Sequence, residues 1–364
     1  MRSPFEKTRY ALAFLFVILA ANLLLAQELK QHVDNPSQAP TTQDVDNPGQ
    51  TPMKDAAQPL KQHVDNPGQT AMDQRATGHN PEAVPEMIEQ ANPTGQAVVT
   101  GNGINYHGGP VLKGNPVPLY LIWYGNWNGT GSNTAATVSL VEHFLNTLGN
   151  TPYEKIATTY GDTTGNVSGN VAVAGAIFDA NSQGAKLTNK KLSAIVTRSF
   201  SNGLPKDANG VYLVLTASTV SEQGFCSSFC GFHTAQTLSG TDIKWAFIGN
   251  PDRCPSGCEI QTTGPNSPAT GVGGADGIIN VITHEQFEAI TDPDLNAWFD
   301  ASGQEDSDKC NFNFGATTAC AAGSLCTPAA DSVGAQFNQS FGNNNWMFQQ
   351  NWENSNGGKC VQHL

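Results

Sequence analysis

Between residues 27 and 97 the chain contains no Phe, Tyr or Trp, and nine of its 21 prolines fall there. The stretch repeats itself: VDNPSQ at 33–38, VDNPGQ at 45–50 and again at 64–69, with the longer unit LKQHVDNP at 29–36 and 60–67. A segment this polar cannot bury enough apolar surface to offset the entropy of ordering it. It reads as a disordered Pro/Gln-rich linker or pro-segment, and its repeats are too few and too polar for a solenoid. His32 and His63 recur in the repeats and read as solvated linker histidines. Any core must therefore come from residues 98–364.

Ahead of the linker, Arg2, Lys7 and Arg9 surround the start of an apolar run, Ala11–Ala21, which Leu23–Ala26 extends past Asn22. This is the form of a signal peptide, residues 1–26, with Leu24 standing where a small residue is preferred. The alternative is an uncleaved anchor, since the run is nearly of membrane-spanning length. Export sets the reading of the cysteines. All eight follow residue 225, and in an oxidising compartment an even set is expected to form disulfides. Cys226/Cys230 and Cys254/Cys258 also have a spacing open to a four-thiolate zinc site, and spacing alone does not give connectivity.

Charge narrows the function. Lys plus Arg total 18 against 31 Asp plus Glu, a net charge of −13, and only 13% of residues are charged. That balance argues against nucleic acid as a partner, which would require a basic patch to neutralise phosphates. It disfavours an anionic membrane surface for the same reason. No membrane contact is expected beyond the signal peptide.

From Val98 the pattern changes. PVPLYLIWYG (116–125), NVAVAGAIFD (170–179), GVYLVLTAS (210–218) and KWAFIGN (244–250) are strand candidates. Residues 134–148 and 187–200 carry apolar side chains at helical spacing, Val138, Val141, Phe144 and Leu148 in the first and Leu192, Ile195 and Val196 in the second. Helices alternating with strands predict an α/β (α+β) fold: one compact domain, 98–364, with a mixed sheet flanked by helices. The Gly- and Asn-rich C-terminal region is expected to wrap that core through Trp346, Phe348 and Trp352, stapled by disulfides.

The strongest chemical signal is DGIINVITHEQFEAITDPD, residues 276–294. Asp276 is the expected N-cap and Pro293 the stop, giving a helix of about 15 residues. At roughly 100° per residue, Ile278, Ile282 and Ala289 centre the apolar face, and His284, Glu285 and Glu288 flank it. Ionised carboxylates beside a buried stripe are costly unless paired or bound to a cation. His284 and Glu288, at i and i+4, can reach one metal ion, and Glu285 between them can act as general base on its water. This is the logic of the H-E-x-x-H zinc helix with Glu288 in place of the second His. The bland alternative is a capped core helix with a His–Glu hydrogen bond. A third ligand is expected from GQEDSDKC, Glu305 first and then Asp308, in a loop that a disulfide at Cys310 would fix. Asp294 lacks the preceding glycine that such a ligand would need to turn the chain. His233, in CSSFCGFH, reads as a ligand or as a structural polar group, and His143 as a surface residue. GVGGADG (271–277) reads as a flexible entry loop, and a Ser-His-Asp triad has no local support. Sequons occur at Asn128, Asn166 and Asn338.

Several blocks together resemble a known family. GGPVLKGNPVPLYLIWYGNW (108–127), NVSGNVAV (166–173), GVYLVLTAS (210–218), FCSSFCGFH (225–233), WAFIGN…CPSGC (245–258) and DGIINVITHEQFEAITDP…NAW (276–298) are similar, in order, to the Exordium or phosphate-induced-protein family. The resemblance spans residues 104–364, and the repeat linker points to a bacterial-type member. It implies an exported protein of the apoplast, cell wall or cell envelope. The family's H-E-x-x-E is matched by His284, Glu285 and Glu288, and its E-x-x-D-x-C by Glu305, Asp308 and Cys310; the family's T-N-P is T-D-P here. Cys226, Cys230, Cys254, Cys258 and Cys360 also fall where the family places cysteines, and Cys320 and Cys326 are extra to its pattern; the resemblance implies that these two pair with each other and Cys310 with Cys360. The helix is also similar to that of zincin-like metallopeptidases, a likeness of motif only.

The expected function is a secreted zinc-dependent hydrolase, peptidase-like, acting on a peptide or cell-wall polymer, with His284, Glu288 and Glu305 or Asp308 as ligands and Glu285 as base. The alternative is a non-catalytic extracellular protein with a structural cation such as calcium, or one that meets glycans through Trp123, Trp127 or Trp298.

Overall fold

Four apolar runs lie side by side in the computed structural model, which describes residues 87–90, 103–261, 264–266, 274–321, 326, 335–355 and 357–364. They are β2 (Val117–Tyr124), β3 (Val171–Asp179), β4 (Val211–Thr216) and β6 (Thr241–Ile248), all parallel to their neighbours among the four. β5 (Phe229–Leu238) joins β6 antiparallel, and β1 (Met87–Gln90) joins β5 antiparallel at the edge. The order across the sheet is β1-β5-β6-β4-β2-β3. The mixed α/β sheet expected from the sequence is thus observed. β1 lies inside the 27–97 segment. The expected signal peptide (1–26), the rest of that segment (His32 and His63 included) and residues 271–273 fall outside the described residues; the other end of the expected 271–277 loop is not loop, since Ala275, Asp276 and Gly277 form the first turn of a helix.

Burial explains the sequence patterns. β4 is buried at all six positions and β2 at all but Pro118, so both read as continuous apolar runs, as strands covered on both faces do. β3, at the other edge, alternates and leaves Phe178 62% exposed. β5 and β6 meet in a tight hairpin at Ser239 and Gly240, both with positive φ (50° and 80°), the backbone that a two-residue turn demands.

Helix α1 (Ala135–Leu148) connects β2 to β3, and α2 (Asn189–Ser201) connects β3 to β4. Side chains alternate across a sheet, so the register sorts them. His233, Ala246, Leu213 and Leu121 form one row on one face. Thr234, Trp245, Tyr212 and Tyr120 form a row on the other. α2 covers the second face: Ser193 donates to Gln236 (2.7 Å), and Phe200 meets Tyr212 edge-on. α1 and helix α3 (Ala275–Thr291) pack together on the His233 face.

The C-terminal region closes over α3. Trp346, Phe348 and Trp352 are buried as expected, with Phe348 edge-on to Tyr153 and Phe144 at 4.7 and 5.4 Å. Four disulfides form: Cys226–Cys254, Cys230–Cys258, Cys310–Cys360 and Cys320–Cys326. The four-thiolate zinc reading is therefore corrected, because each of those cysteines spends its sulfur on a bridge. Three smaller expectations also change. Gly274, with φ 68°, is the N-cap of α3, while Asp276 sits in the first turn and accepts from Asn266. His143 is half-buried and donates to the Gly342 carbonyl at 2.6 Å. Trp127 is a core residue, 2% exposed, and joins Trp123, which is fully buried as its place in a strand predicts, so neither offers a glycan-stacking face. Of the sequons, Asn128 and Asn166 are exposed, whereas the Asn338 amide donates to Phe314 and Phe348 carbonyls.

Candidate metal centre

All seventeen residues of α3 are buried, so its polar side chains have no solvent face and must find partners inside. Several do. Gln286 donates to Glu154 (3.3 Å), Thr291 to Asp306 (2.8 Å), and Asn280 accepts from the Gln349 backbone (2.8 Å). His284, Glu285 and Glu288 converge elsewhere, on each other and on two further elements.

One turn of helix brings His284 Nε2 to 3.1 Å from Glu288 Oε1. Asp308 Oδ1 stands 3.5 Å from the same nitrogen. The loop carrying Asp308 is fixed from several sides. The Asp308 amide donates to Glu288 Oε1 (3.2 Å), the Glu305 amide to Asp308 Oδ2 (3.1 Å), and Ser307 Oγ to the His284 carbonyl (3.1 Å). Cys310–Cys360 ties the end of the loop to a C-terminal strand, Lys359–Val361. On the far side of the ring, Gln349 Oε1 lies 3.4 Å from His284 Nδ1 and also accepts from the Phe312 amide.

His233 of β5 brings a second group together. Its Nδ1 is 3.4 Å from Glu288 Oε2 and 3.6 Å from Glu285 Oε2. Its Nε2 is 3.6 Å from Glu305 Oε2. The sequence-expected residues thus divide: Asp308 joins His284 and Glu288, while Glu305 and Glu285 join His233. Gly231, two residues earlier on the same face, makes room. A Cβ there would lie 2.7 Å from Glu285 Oε1 and 2.7 Å from Val281 Cγ1.

The strand that carries His233 was not foreseen in the sequence. FCGFHTAQTL has a glycine inside it and a polar second half, which weaken a strand pattern. The signal available was the Ser239-Gly240 dipeptide ahead of KWAFIGN, a two-residue hairpin that implies a partner strand just upstream.

Burial and mutual charge set the protonation of these groups. Burial pushes Glu285 up to about 7, partly opposed by His233. Burial acts on Glu288 too, but the imidazoles of His284 and His233 together outweigh it and hold Glu288 down at about 2. His233 would be lowered by burial, yet Glu285 and Glu288 raise it to about 10. Glu305 and Asp308 are raised by burial and then by neighbouring carboxylates, Glu288 first.

The donor set fits a metal ion. Both ring nitrogens of His233 and both carboxylate oxygens of Glu285 are buried and make no hydrogen bond. Their neighbours at 3.4–3.6 Å are too far for ordinary bonds. Such spacings match the edge of a tetrahedron around an ion with ligands at about 2.0–2.1 Å, which is about 3.3–3.4 Å. Among the described residues, two groups have all their ligand atoms within 4.8 Å of one another: His233, Glu285 and Glu288, and His284, Glu288 and Asp308. Imidazole with carboxylate suits zinc and similar transition metals, whereas calcium takes oxygen ligands.

The model of the phosphate-induced protein 1 conserved region matches residues 104–362. The chain is 34% identical over 221 residues to the Arabidopsis thaliana protein EXORDIUM-like 5, covering 54% of this chain and 59% of the relative. It is 32% identical to EXORDIUM-like 3 of the same plant, covering 54% and 64%. With EXORDIUM-like 2 the identity is 26%, covering 54% and 68%. The match therefore spans less than two thirds of the first two relatives. No solved structure matches the chain.

Proposed function

The chain belongs to the phosphate-induced protein 1, or Exordium-like, family, and from that premise we propose that it is an exported metal-dependent hydrolase. The observation that carries this reading is the convergence of His284 Nε2, Glu288 Oε1 and Asp308 Oδ1 inside a helix with no solvated face. These three atoms would hold a zinc-like ion. When bound, such an ion supplies Lewis acidity and an acidified water. Gln349 Oε1, 3.4 Å from His284 Nδ1, would accept the Nδ1–H and so leave the Nε2 lone pair to ligate. Glu285, the residue after His284 and raised to about 7 by burial, would be the base. Four disulfides and the signal-like residues 1–26 support a secreted or cell-envelope location. A peptide is the substrate class that the H-E-x-x-E likeness suggests, and a cell-wall polymer is the second choice.

One observation favours a non-catalytic reading. His233, His284, Glu285, Glu288 and Glu305 are each no more than 1% exposed, as in a structural cation site. On that reading the ion would simply hold the helix, the 305–310 loop and β5 together in an extracellular, cell-wall-associated protein. An imidazole in either donor group favours a transition metal over calcium.

The test is hydrolysis of a peptide and polysaccharide panel by the metal-loaded protein and by Glu285→Gln. Turnover that falls by about a hundredfold or more in the variant, with the His284-bound ion retained, supports the enzyme. Equal turnover removes Glu285 from the chemistry. A metal-loaded wild type inert on the whole panel favours the structural reading.

A further inference from the structure

The mechanism above uses only one oxygen of Glu288, yet both are engaged. Oε1 faces His284 Nε2 at 3.1 Å, and Oε2 faces His233 Nδ1 at 3.4 Å. Resting on the reading that His284, Glu288 and Asp308 hold an ion, we propose that the centre takes two divalent transition-metal ions, the second held by His233 Nδ1, Glu285 Oε2 and Glu288 Oε2, with Glu288 as the bridge.

Four observations carry this. First, the two candidate groups share only Glu288, and among the described residues no group contains both histidines. One ion does not account for both sets of donors. A carboxylate presenting one oxygen to each set has the geometry of a bridge, and paired catalytic ions lie about 3.5–4 Å apart.

Second, the second group contains unmet donors. The His233 nitrogens and the Glu285 oxygens are fully buried and make no hydrogen bond, a costly state in a folded core. Gly231 leaves open the space that a Cβ would contest with Glu285 Oε1 at 2.7 Å.

Third, an oxygen lies on the outer side of each ring. Glu305 Oε2 stands 3.6 Å from His233 Nε2, beyond hydrogen-bond distance, and Gln349 Oε1 3.4 Å from His284 Nδ1. An acceptor behind a histidine orients the ring and raises its basicity as a ligand. Glu305 is thus a positioning residue behind His233 in this arrangement, not a ligand beside His284.

Fourth, little cationic charge faces these carboxylates. Among the described residues, the ion pairs of Glu285, Glu288, Glu305 and Asp308 are all to the two histidines, and Asp292 and Asp306 add further carboxylates beside Glu305. Lys309, next to Asp308 in the chain, pairs with Asp300 at 2.8 Å. Buried carboxylates gathered in this way suit divalent cations.

The experiment is metal stoichiometry on the purified full chain, stripped with chelator and reloaded separately with zinc and with manganese. Zinc content gives the count, and electron paramagnetic resonance of the manganese form reports whether two ions are coupled. The expected result is two ions per chain with an exchange-coupled manganese signal, falling to one ion and an uncoupled signal in both His233→Ala and Glu285→Gln. Glu285→Gln is isosteric and keeps the test valid if His233→Ala fails to fold. One ion in the wild type, retained in both variants and lost in His284→Ala, overturns the second site and leaves the proposed hydrolase standing. No ion in the reloaded wild type overturns both.

Discussion

Helix α1 buries six of its fourteen side chains, and helix α3 buries all seventeen, although the two pack against each other on the same face of the sheet. The buried set of α1 is Thr137, Val138, Val141, Phe144, Leu145 and Leu148, an apolar stripe with a polar back. Its stability is a matter of area removed from water. α3 buries Asn280, Thr283, His284, Glu285, Gln286, Glu288 and Thr291 with its apolar residues. For those groups burial is a cost, met by hydrogen bonds at some positions and unmet by them at Glu285. A helix that sacrifices stability at named residues is where function is to be sought.

The largest effect that sharpens this contrast is on α1. Phe144→Ala should cost about 3–5 kcal/mol, because the ring is fully buried against Trp346, Phe341 and Phe348. The loss, measured by urea unfolding, should be the same with and without chelator. A chelator-dependent loss would break the separation of the two helices.

The next concerns α3. Burial holds Glu154, the partner of Gln286, up at about 8. Its folded value is above its unfolded one, so its stabilising effect is complete below about pH 4.5 and disappears as pH rises through about 8. In that window the loss runs at about 1.4 kcal/mol per pH unit. Glu154→Gln removes the titration, so the variant should gain on the wild type by about 2–3 kcal/mol between pH 6 and pH 8. Parallel pH profiles for the two proteins would mean that the buried carboxyl is not protonated.

The legibility of these regions follows the same division. β2, β3, β4, β6, α1 and α2 could be read because their side chains do one job, and the spacing of apolar residues records it. α3 was legible for the same reason, as were the three aromatic anchors of the C-terminal region. β5 was not, because Gly231 and His233 are there for α3 and its carboxylates rather than for strand propensity. Nor could sequence divide Glu305 from Asp308. That division depends on which way a loop faces, and Ser307, Gln349 and the Cys310–Cys360 bridge settle it from a distance. The four cysteines of 226–258 present one spacing to two chemistries, so only their pairing could decide.

The smallest effect returns to α1. Thr134 caps it by accepting from the Thr137 amide at 3.2 Å. Thr134→Ala should cost about 1 kcal/mol in thermal or urea unfolding, and a loss several times larger would mean that the start of α1 also supports the centre.

The Cys310–Cys360 bridge joins residues separated by 50 positions in the chain, and this imposes an order of events on the protein's maturation. During synthesis Asp308 leaves the ribosome well before Cys360 does, and the loop gains its tether only after an oxidant has acted. The position of Asp308 is therefore settled late, downstream of the thiol chemistry of the compartment in which the protein folds. A chain kept in a reducing compartment lacks that clamp on Asp308.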